Sequence, residues 1–262
     1  FSYFVKDHKF MPLFKRGIWN GKNYLFKVSD CILPAGLLNS LLRIAEVKDW
    51  EVEIESSEYS NLIEFDTDYF LREIATTTDL DIMDHQLGPV EEVMANNRRL
   101  ILSPTSSGKS LIQYLIARYI NKKHKGRVLI IVPNKTLVAQ MYEDMCDYAN
   151  DGWGPDNIHQ IYAEQEIWTH HDIVVSTYQT AVKLTQEWYD QFSAILVDEA
   201  HGATSKSISY ILGMTGHMFY AAGFTGTLDG TYMHEMEMRA RFGDVTKFIT
   251  TKELMEKGIV AQ

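Results

Sequence analysis

Residues 103–110 of the chain, SPTSSGKS, contain most of a phosphate-binding loop. The usual pattern is G-x-x-x-x-G-K-[ST], and only its opening glycine is missing here. Gly108 would let the backbone approach phosphate oxygens, Lys109 would reach the β- and γ-phosphates, and Ser110 would ligate Mg²⁺. An apolar run precedes the loop and a helix-length segment follows it, which is the context that gives the motif meaning. The loop therefore predicts a site for a nucleotide and its metal ion.

A second polar group follows the apolar run 194–197, in the segment AILVDEAH. Asp198 can hold Mg²⁺ through water, and Glu199 can orient or deprotonate an attacking water molecule. An acidic pair at the end of a strand is, by itself, often only solvated charge. Downstream of a phosphate-binding loop, and with His201 close behind, the pair favours hydrolysis of a bound nucleotide, in which Lys109 stabilises phosphate charge.

Short β-rich runs separated by helix-length segments occupy the chain from about residue 98 onward. The runs cover residues 99–103, 127–133, 172–178, 194–198 and 219–225. Near-continuous apolar runs are typical of parallel strands buried on both faces, with helices as crossovers. We therefore predict an α/β domain over residues 79–262, with a mostly parallel sheet flanked by helices. Ligands of such sheets bind at the carboxyl ends of the strands, where these polar segments fall.

Charge is distributed unevenly along the chain, whose net charge is −10. Residues 1–45 carry seven Lys and Arg against two acids, whereas residues 46–92 carry fifteen acids against two bases. The rest of the chain is close to neutral. The asymmetry predicts a small basic module and an acidic connector over residues 1–78, tethered to a larger domain. Chance fluctuation of charge along the chain is the alternative.

The first 28 residues interleave aromatic and basic side chains. Those that could neutralise phosphates or stack on bases are Lys9, Lys15, Arg16, Trp19, Lys22, Tyr24 and Lys27. We expect the basic members to contact DNA. We expect the aromatic side chains to form the core of the small module rather than a stacking platform, namely Phe4, Phe10, Phe14 and Trp19. A helix is expected to begin near Pro34, and residues 46–68 predict an edge strand (EVEIE) followed by a solvated connector.

The composition excludes several classes of protein. Of the 262 residues, 45% are hydrophobic, and no apolar run approaches the roughly 20 residues of a membrane span. Cys31 and Cys146 fit no metal or disulfide spacing, so reduced thiols in the cytoplasm are expected. The chain starts at Phe1 without a signal segment, and we expect native residues to precede it.

The motifs PTSSGKS, VPNKTLVAQ, STYQT, VDEAH and GFTGTL, in this order, resemble motifs I, Ia, Ic, II and III of DEAH-box-like superfamily 2 helicases. FKRGIWNGKNYLFK and CILPAG upstream, and TTKELMEKG downstream, extend the similarity to UvsW-type phage DNA helicases over most of the chain. The resemblance implies a RecA-like P-loop domain preceded by a small α+β domain. It also implies an ATP- and Mg²⁺-dependent helicase that remodels branched DNA by fork regression or branch migration in phage replication, recombination or repair.

The resemblance also assigns roles to individual residues. Gln86 corresponds to the glutamine that reads adenine, for which a side-chain amide can donate and accept at once. The nucleotide loop comprises Thr105, Ser106, Ser107, Gly108, Lys109 and Ser110. Thr225, Gly226 and Thr227 would couple the nucleotide site to the DNA site through His201. The sugar–phosphate backbone of DNA would be gripped by Pro133, Asn134, Lys135, Thr136, Leu137, Thr177 and Gln179.

Ser106 departs from the family pattern T-G-x-G-K, which has glycine at this position. We expect serine to be tolerated only if its backbone angles avoid the conformations that favour glycine. Its hydroxyl could also add a phosphate contact.

Superfamily 2 motors need a second RecA-like domain, whose arginine fingers stabilise phosphoryl charge. No Q-x-x-G-R-x-x-R stretch follows GFTGTL, so we expect that domain in further C-terminal sequence. By itself the chain is then expected to bind nucleotide weakly and to hydrolyse it very slowly. The expected whole is a monomer in the host cytoplasm that acts on branched or single-stranded DNA and does not bind membranes. The alternatives are the duplex-DNA translocase subunit of a restriction-type machine, and a nucleotide-gated DNA-binding module without significant hydrolysis.

Overall fold

The main element of the structure, a computed structural model, is a sheet of parallel strands. The structure describes residues 1–54, 65–162, 166–204 and 206–259. Within these ranges the sheet has seven strands in the order β5-β6-β4-β7-β8-β3-β9. Their bounds are β3 Arg98–Leu102, β4 Val128–Val132, β5 Ile158–Ile161, β6 Ile173–Thr177, β7 Ala194–Val197, β8 Tyr220–Thr225 and β9 Val245–Lys247. The α/β class and the parallel sheet are confirmed.

Helices connect the strands and cover both faces of the sheet. The longer ones are α2 Leu38–Val47, α4 Asp84–Asn96, α5 Lys109–His124, α6 Lys135–Tyr148, α10 Lys206–Met214 and α11 Tyr232–Phe242. The short ones are α1 Pro12–Lys15, α3 Thr67–Tyr69, α7 Gly154–Asn157, α8 Tyr178–Ala181, α9 Gln186–Tyr189 and α12 Thr251–Glu256. None of the described helices is both long enough and apolar enough to cross a bilayer.

Strand β4 shows why the sheet requires helices on both faces. Its five residues are all fully buried, and alternate side chains point to opposite faces. Val128, Ile130 and Val132 join one hydrophobic cluster, which also contains residues of α4, α5 and α6. Leu129 and Ile131 join the other cluster, which also contains residues of α8 to α11. Burial on both faces explains the continuous apolar run in the sequence.

All five predicted runs form strands, within one or two residues of their predicted ends. Two further strands, β5 and β9, were not predicted; they form the two edges of the sheet. The predicted edge strand EVEIE is wrong where it can be seen, because residues 51–54 form no strand. Its last residue, and residues 56–64 of the predicted connector, lie outside the described residues.

The N-terminal part contains a two-stranded antiparallel sheet of β1 (Ser2–Phe4) and β2 (Lys22–Tyr24). The helix expected near Pro34 is present as a 3-10 turn, Ala35–Leu37, that continues into α2. Gly36 is required in this turn, since a Cβ there would lie 2.2 Å from the carbonyl oxygen of Arg239. The turn is therefore packed directly against the backbone of α11.

The prediction that the N-terminal aromatics form a core is wrong. Phe4 is 54% exposed and Phe10 is 74% exposed, while Phe14 and Trp19 are only half-buried. The reason is the alternation along β1: Tyr3 points toward the larger domain and is 4% exposed, so Phe4 must point away from it. On that outer face the ring of Phe4 is stacked on His8, at 4.8 Å between ring centres, and stays largely exposed.

Candidate functional site

The phosphate-binding loop joins the end of β3 to the start of α5, as its sequence predicts. Gly108 adopts a φ of 83°, in the left-handed region, and its carbonyl oxygen accepts the first helical hydrogen bond, from Ile112. The positive φ favours glycine, and a Cβ at this position would also displace the side-chain amide of Gln86, whose Nε2 would lie 2.3 Å away. The first backbone N–H groups of α5 have no partner within the helix, and they favour an anion at this end.

Two of the loop serines stabilise the loop internally. The hydroxyl of Ser107 donates to the carbonyl oxygen of Pro104 at 2.7 Å, within the loop. The amide of Ser103 donates to the carbonyl oxygen of Thr225 at 2.8 Å, which joins the start of the loop to β8. The hydroxyls of Ser103 and Ser107 also bond to each other, and both side chains are buried. The hydroxyl of Ser107 thus points into the loop.

Ser106 adopts a φ of 65°, which is the left-handed conformation that glycine adopts freely. The expectation that its backbone angles would avoid this region is therefore wrong. The loop keeps the conformation that suits glycine even though it carries a side chain here. For a non-glycine residue this conformation costs about 1–2 kcal/mol. Ser106 is thus a strained residue within the candidate site.

The two motifs meet in a cavity of about 410 Å³. Its lining residues are Thr105, Ser106, Gly108, Lys109, Ser110, Leu137, Gln140, Met141, Asp144, Asp198 and Glu199. The structure thus brings together the predicted phosphate, metal and water-activating groups. Neither Ser107 nor Gln86 lines this cavity. Leu137, which was assigned to DNA, lies here instead.

Asp198 and Glu199 occupy different environments at the end of β7. Asp198 is buried, and its Oδ1 accepts a hydrogen bond from Nε2 of Gln113 at 3.1 Å. Burial raises the pKa of Asp198, the neighbouring Glu199 raises it further, and Lys109 opposes both effects. Glu199 is more accessible, and its Oε1 lies 3.2 Å from Nζ of Lys109. Its φ of 46° is left-handed, a strain that recurs in functional residues.

Glu199 is connected to the end of β8 through His201. Nδ1 of His201 lies 3.2 Å from Oε2 of Glu199 and 2.9 Å from Oγ1 of Thr225. The hydroxyl of Thr225 donates to the carbonyl oxygen of Thr227 at 2.9 Å, so Nδ1 of His201 is the donor in its own bond to Thr225. Gly226 lies between the two threonines.

Gln86 lies in the first turn of α4. Its Oε1 accepts a hydrogen bond from the amide of Met83 at 3.0 Å, and its Nε2 donates to the carbonyl oxygen of Ser107 at 3.4 Å. Its amide therefore supports the phosphate-binding loop in this structure. The adenine-reading role of Gln86 stays a prediction.

A second cavity, of about 440 Å³, lies at the carboxyl ends of β4 and β6. Its lining residues are Asn134, Lys135, Tyr162, Ile167, Thr177, Gln179, Thr180, Lys183 and Leu184. Asn134 caps α6, since its Oδ1 accepts from the amide of Leu137 at 3.0 Å, and Thr177 caps α8 in the same way. Four of the residues assigned to DNA contact thus share one cavity, whereas Pro133 and Thr136 do not line it.

The predicted N-terminal DNA residues line neither cavity. Lys15 and Arg16 are exposed on and after α1, and the ammonium of Lys22 lies 5.0 Å from the ring centre of Phe4. These N-terminal residues stay a prediction, as a candidate DNA-binding surface separate from the two cavities.

Sequence reasoning missed several residues that contact the site. Gln113 bonds to Asp198, the hydroxyl of Tyr178 donates to the carbonyl oxygen of Asp198 at 2.7 Å, and Tyr148 contacts Ser110. Gln140, Met141 and Asp144, which also line the cavity, had a signal in the sequence, because they share the spacing of one helical face with Leu137.

Two family models match the chain. The model described as "Type III restriction enzyme, res subunit" matches residues 69–230, and that described as "DNA helicase UvsW, N-terminal" matches residues 1–55. The crystal structure of the UvsW helicase from bacteriophage T4 is 30% identical, with a TM-score of 0.83, and the alignment covers 94% of this chain and 90% of that one. The chain belongs to the UvsW helicase family.

This UvsW family member is also similar to a curated helicase and to one further solved ATPase. The "ATP-dependent DNA helicase uvsW" of Enterobacteria phage T4 is 32% identical over the whole chain, which covers 53% of that protein. The chain thus spans about half the length of this curated relative. The SWI2/SNF2 ATPase core of Sulfolobus solfataricus, solved with dsDNA, is 14% identical with a TM-score of 0.51; the alignment covers 63% of this chain and 36% of that one, and it shares the fold alone. The RecA-like fold class is confirmed.

Proposed function

We propose that the chain forms the N-terminal accessory module (residues 1–78) and first motor domain (79–262) of an ATP-dependent DNA helicase. The observation that carries this proposal is that Lys109, Ser110, Asp198 and Glu199 line one cavity at the carboxyl ends of the strands. An accidental Gly-Lys-Ser turn would not lie beside the buried and half-buried carboxylates that hydrolysis needs.

The residues of the cavity suit a nucleotide and its metal ion. Lys109 and the N-terminus of α5 would hold the phosphates. Ser110 and Asp198 would hold Mg²⁺, which prefers hydroxyl and carboxylate oxygens of this kind. When bound, Mg²⁺ would neutralise charge on the β- and γ-phosphate oxygens. Gln113 keeps the carboxylate of Asp198 in place through its hydrogen bond.

Glu199 is placed to orient the attacking water and to accept its proton. Its carboxylate is accessible to the cavity, and it is held from both sides by Lys109 and His201. The contact of His201 with Thr225 gives a direct path from this carboxylate to the end of β8. We infer that loss of the γ-phosphate is transmitted along this path to the rest of the motor.

The second cavity supports contact with DNA. Asn134, Lys135, Thr177 and Gln179 offer amide, ammonium and hydroxyl groups, which bind sugar–phosphate backbone without reading its sequence. Lys183 and Tyr162 line the same cavity and add a second positive charge and an aromatic ring. The N-terminal lysines and Arg16 would extend the contact along a branched substrate.

The similarity to the T4 helicase supports a role in remodelling branched DNA by fork regression or branch migration. We place this activity in phage replication, recombination or repair, in the host cytoplasm. A second RecA-like domain would supply the arginine fingers, and the whole would act as a monomer. The 262-residue chain alone would then bind ATP weakly and hydrolyse it very slowly.

The match of residues 69–230 to the restriction-enzyme model favours one alternative, a translocase that moves on duplex DNA without separating its strands. A triplex-displacement assay detects such movement, whereas a fork substrate with a labelled strand detects separation. Release of the labelled strand at the fork supports the helicase. Triplex displacement without strand release supports the translocase.

The test of the proposed function is Lys109→Ala in the whole protein. We expect ATP-driven strand separation to disappear, while DNA binding without nucleotide is retained, because Lys109 does not line the second cavity. The matched control is Lys252→Ala, since Lys252 lies on the exposed surface of α12. Retained unwinding by Lys109→Ala would refute the assignment of the site.

A further inference from the structure

Ser110, the candidate metal ligand of the phosphate-binding loop, has a side-chain partner outside the loop. Its Oγ lies 2.7 Å from the hydroxyl of Tyr148, the last residue of α6. Tyr148 belongs to none of the helicase motifs recognised in the sequence. The contact joins a residue of motif I to a residue 38 positions further along the chain.

A serine hydroxyl has one proton and two lone pairs, and without a partner it rotates freely. When it donates its proton to a neighbour, both lone pairs point away from that neighbour. Tyr148 is such a neighbour, because its phenolic oxygen can accept the proton of the Ser110 hydroxyl. When Ser110 is the donor in this contact, its lone pairs face the nucleotide cavity, which Ser110 lines.

The position of Tyr148 is itself fixed by packing. Its ring meets that of Tyr114 edge-on, with centres 5.7 Å apart, and the Tyr114 ring meets that of Trp153 at 6.2 Å. The hydroxyl of Tyr114 donates to the carbonyl oxygen of Thr77 at 3.1 Å, which fixes the ring against which Tyr148 packs. A tyrosine held in this way can fix the hydroxyl that it contacts.

Helix α6 also borders both cavities. Its face with Leu137, Gln140, Met141 and Asp144 lines the nucleotide cavity. At its start, the capping residue Asn134 lines the second cavity. A rigid helix that contacts both sites makes the geometry of Ser110 depend on where α6 lies.

We propose that Tyr148 is a positioning residue, which orients the Ser110 hydroxyl so that its lone pairs face a nucleotide-bound Mg²⁺. This inference rests on the proposed function of the cavity as a Mg²⁺–nucleotide site. Tyr148 itself touches neither the metal nor the nucleotide, and it acts through Ser110 alone.

The experiment is Tyr148→Phe in the whole protein, read out by equilibrium binding of a fluorescent, non-hydrolysable ATP analogue. Because one hydrogen bond is lost, we expect affinity at saturating Mg²⁺ to fall about fivefold and the Mg²⁺ midpoint to rise. Affinity in EDTA is expected to be unchanged. The matched control is Tyr142→Phe, the same substitution on the same helix, where the hydroxyl interacts with Cys146 rather than with Ser110.

A double-mutant cycle separates positioning from packing. On a Ser110→Ala background, Tyr148→Phe should have no further effect on the Mg²⁺-dependent affinity, because the hydroxyl that Tyr148 positions is absent. Tyr148→Met provides a second side chain without the hydroxyl, and thermal unfolding verifies that each variant is folded. A loss that is equal with and without Mg²⁺, or one that persists on Ser110→Ala, overturns the proposal.

Two failures can be told apart. If Ser110→Ala weakens Mg²⁺-dependent binding while Tyr148→Phe matches the unmodified protein, the role of Tyr148 is wrong and the nucleotide site stands. If the unmodified protein itself binds the analogue with no dependence on Mg²⁺, the proposed function fails, and the role of Tyr148 fails with it.

Discussion

The ammonium of Lys109 lies 3.2 Å from one carboxylate oxygen of Glu199, and the other oxygen lies 3.2 Å from Nδ1 of His201. The lysine that we propose to bind phosphate is therefore paired, in this structure, with the carboxylate that we propose to activate water. A bound triphosphate would compete with Glu199 for the same ammonium. Nucleotide binding would thus release Glu199 toward water at the moment when a substrate is present.

This relationship predicts the effect of Glu199→Gln. The substitution keeps the shape of the side chain and removes its charge. We expect ATP hydrolysis to fall about 10²–10⁴-fold, because the proton acceptor is lost. ATP affinity should be retained or increased, since Lys109 no longer has a charged competitor. Single-turnover hydrolysis and equilibrium binding measure the two effects.

The control for this prediction is Glu187→Gln, since Glu187 lies exposed on α9, outside both cavities. Hydrolysis by Glu199→Gln at the rate of the unmodified protein would show that another group activates the water.

The second prediction concerns the strain at Ser106. Glycine adopts its φ of 65° without cost, whereas serine loses about 1–2 kcal/mol there. Glycine also loses more conformational entropy on folding, because the unfolded chain is more flexible at glycine. This loss offsets about 0.5–1 kcal/mol of the stability gained from relief of the strain. We therefore expect Ser106→Gly to raise the free energy of unfolding by up to about 1.5 kcal/mol, measured by denaturant titration.

Ser106→Ala separates the backbone effect from loss of the hydroxyl, because alanine keeps the Cβ and hence the strain. The order of stability should be glycine above alanine at this position. A glycine variant less stable than the alanine variant contradicts the argument from strain.

How much the sequence predicts differs between the centre and the edges of the sheet. The strands β4, β6 and β7 are buried on both faces, so they are apolar except for Ser176 and Thr177 at the end of β6, and they are recognisable without context. Strand β5 lies at an edge, and its middle residues His159 and Gln160 are only half-buried, so no apolar run marks it. Strand β9, with three residues, is too short to give a pattern.

The site shows the same division. Residues that lie within a motif, such as Lys109 and Glu199, could be assigned from local sequence and a known architecture. The contact between Ser110 and Tyr148 could not be predicted, because it depends on how α5 and α6 pack against the sheet. The prediction that Phe4 belongs to a core was wrong for a related reason. Alternation along β1 can be predicted from the sequence, but which face of the strand meets the larger domain cannot.

The third prediction concerns the second cavity. Lys135→Ala removes one positive charge from its lining. If this cavity holds the phosphate backbone, DNA affinity should fall to a similar degree for all sequences, and the slope of log affinity against log salt should decrease by about one. Fluorescence anisotropy over a salt series measures both.

Lys257→Ala is the control, since Lys257 is exposed and lies beyond the end of α12. An unchanged salt slope for Lys135→Ala would place the DNA elsewhere, with the N-terminal bases as the remaining candidate surface.

The attachment of the N-terminal module supplies the fourth prediction. The hydroxyl of Tyr3 donates to the Glu237 carboxylate on α11 and accepts from Nδ2 of Asn23 at 2.7 Å. Burial and the hydrogen bond to Glu237 raise the pKa of Tyr3 from 10.0 to about 12. The folded state therefore holds the phenol proton more tightly than the unfolded chain does. The resulting stabilisation is complete below pH 10, and it is lost as the pH rises to about 12.

We expect the difference in unfolding free energy between the unmodified protein and Tyr3→Phe to be constant up to pH 10 and to shrink from pH 10 to about 12. Comparing the two proteins cancels the titration of the lysines and of the other tyrosines, which both of them share. Denaturant unfolding at a series of alkaline pH values gives this difference directly. A difference that stays constant through pH 12 means that Tyr3 does not bind its proton more tightly in the folded state, and that the contact with Glu237 does not hold the module to α11.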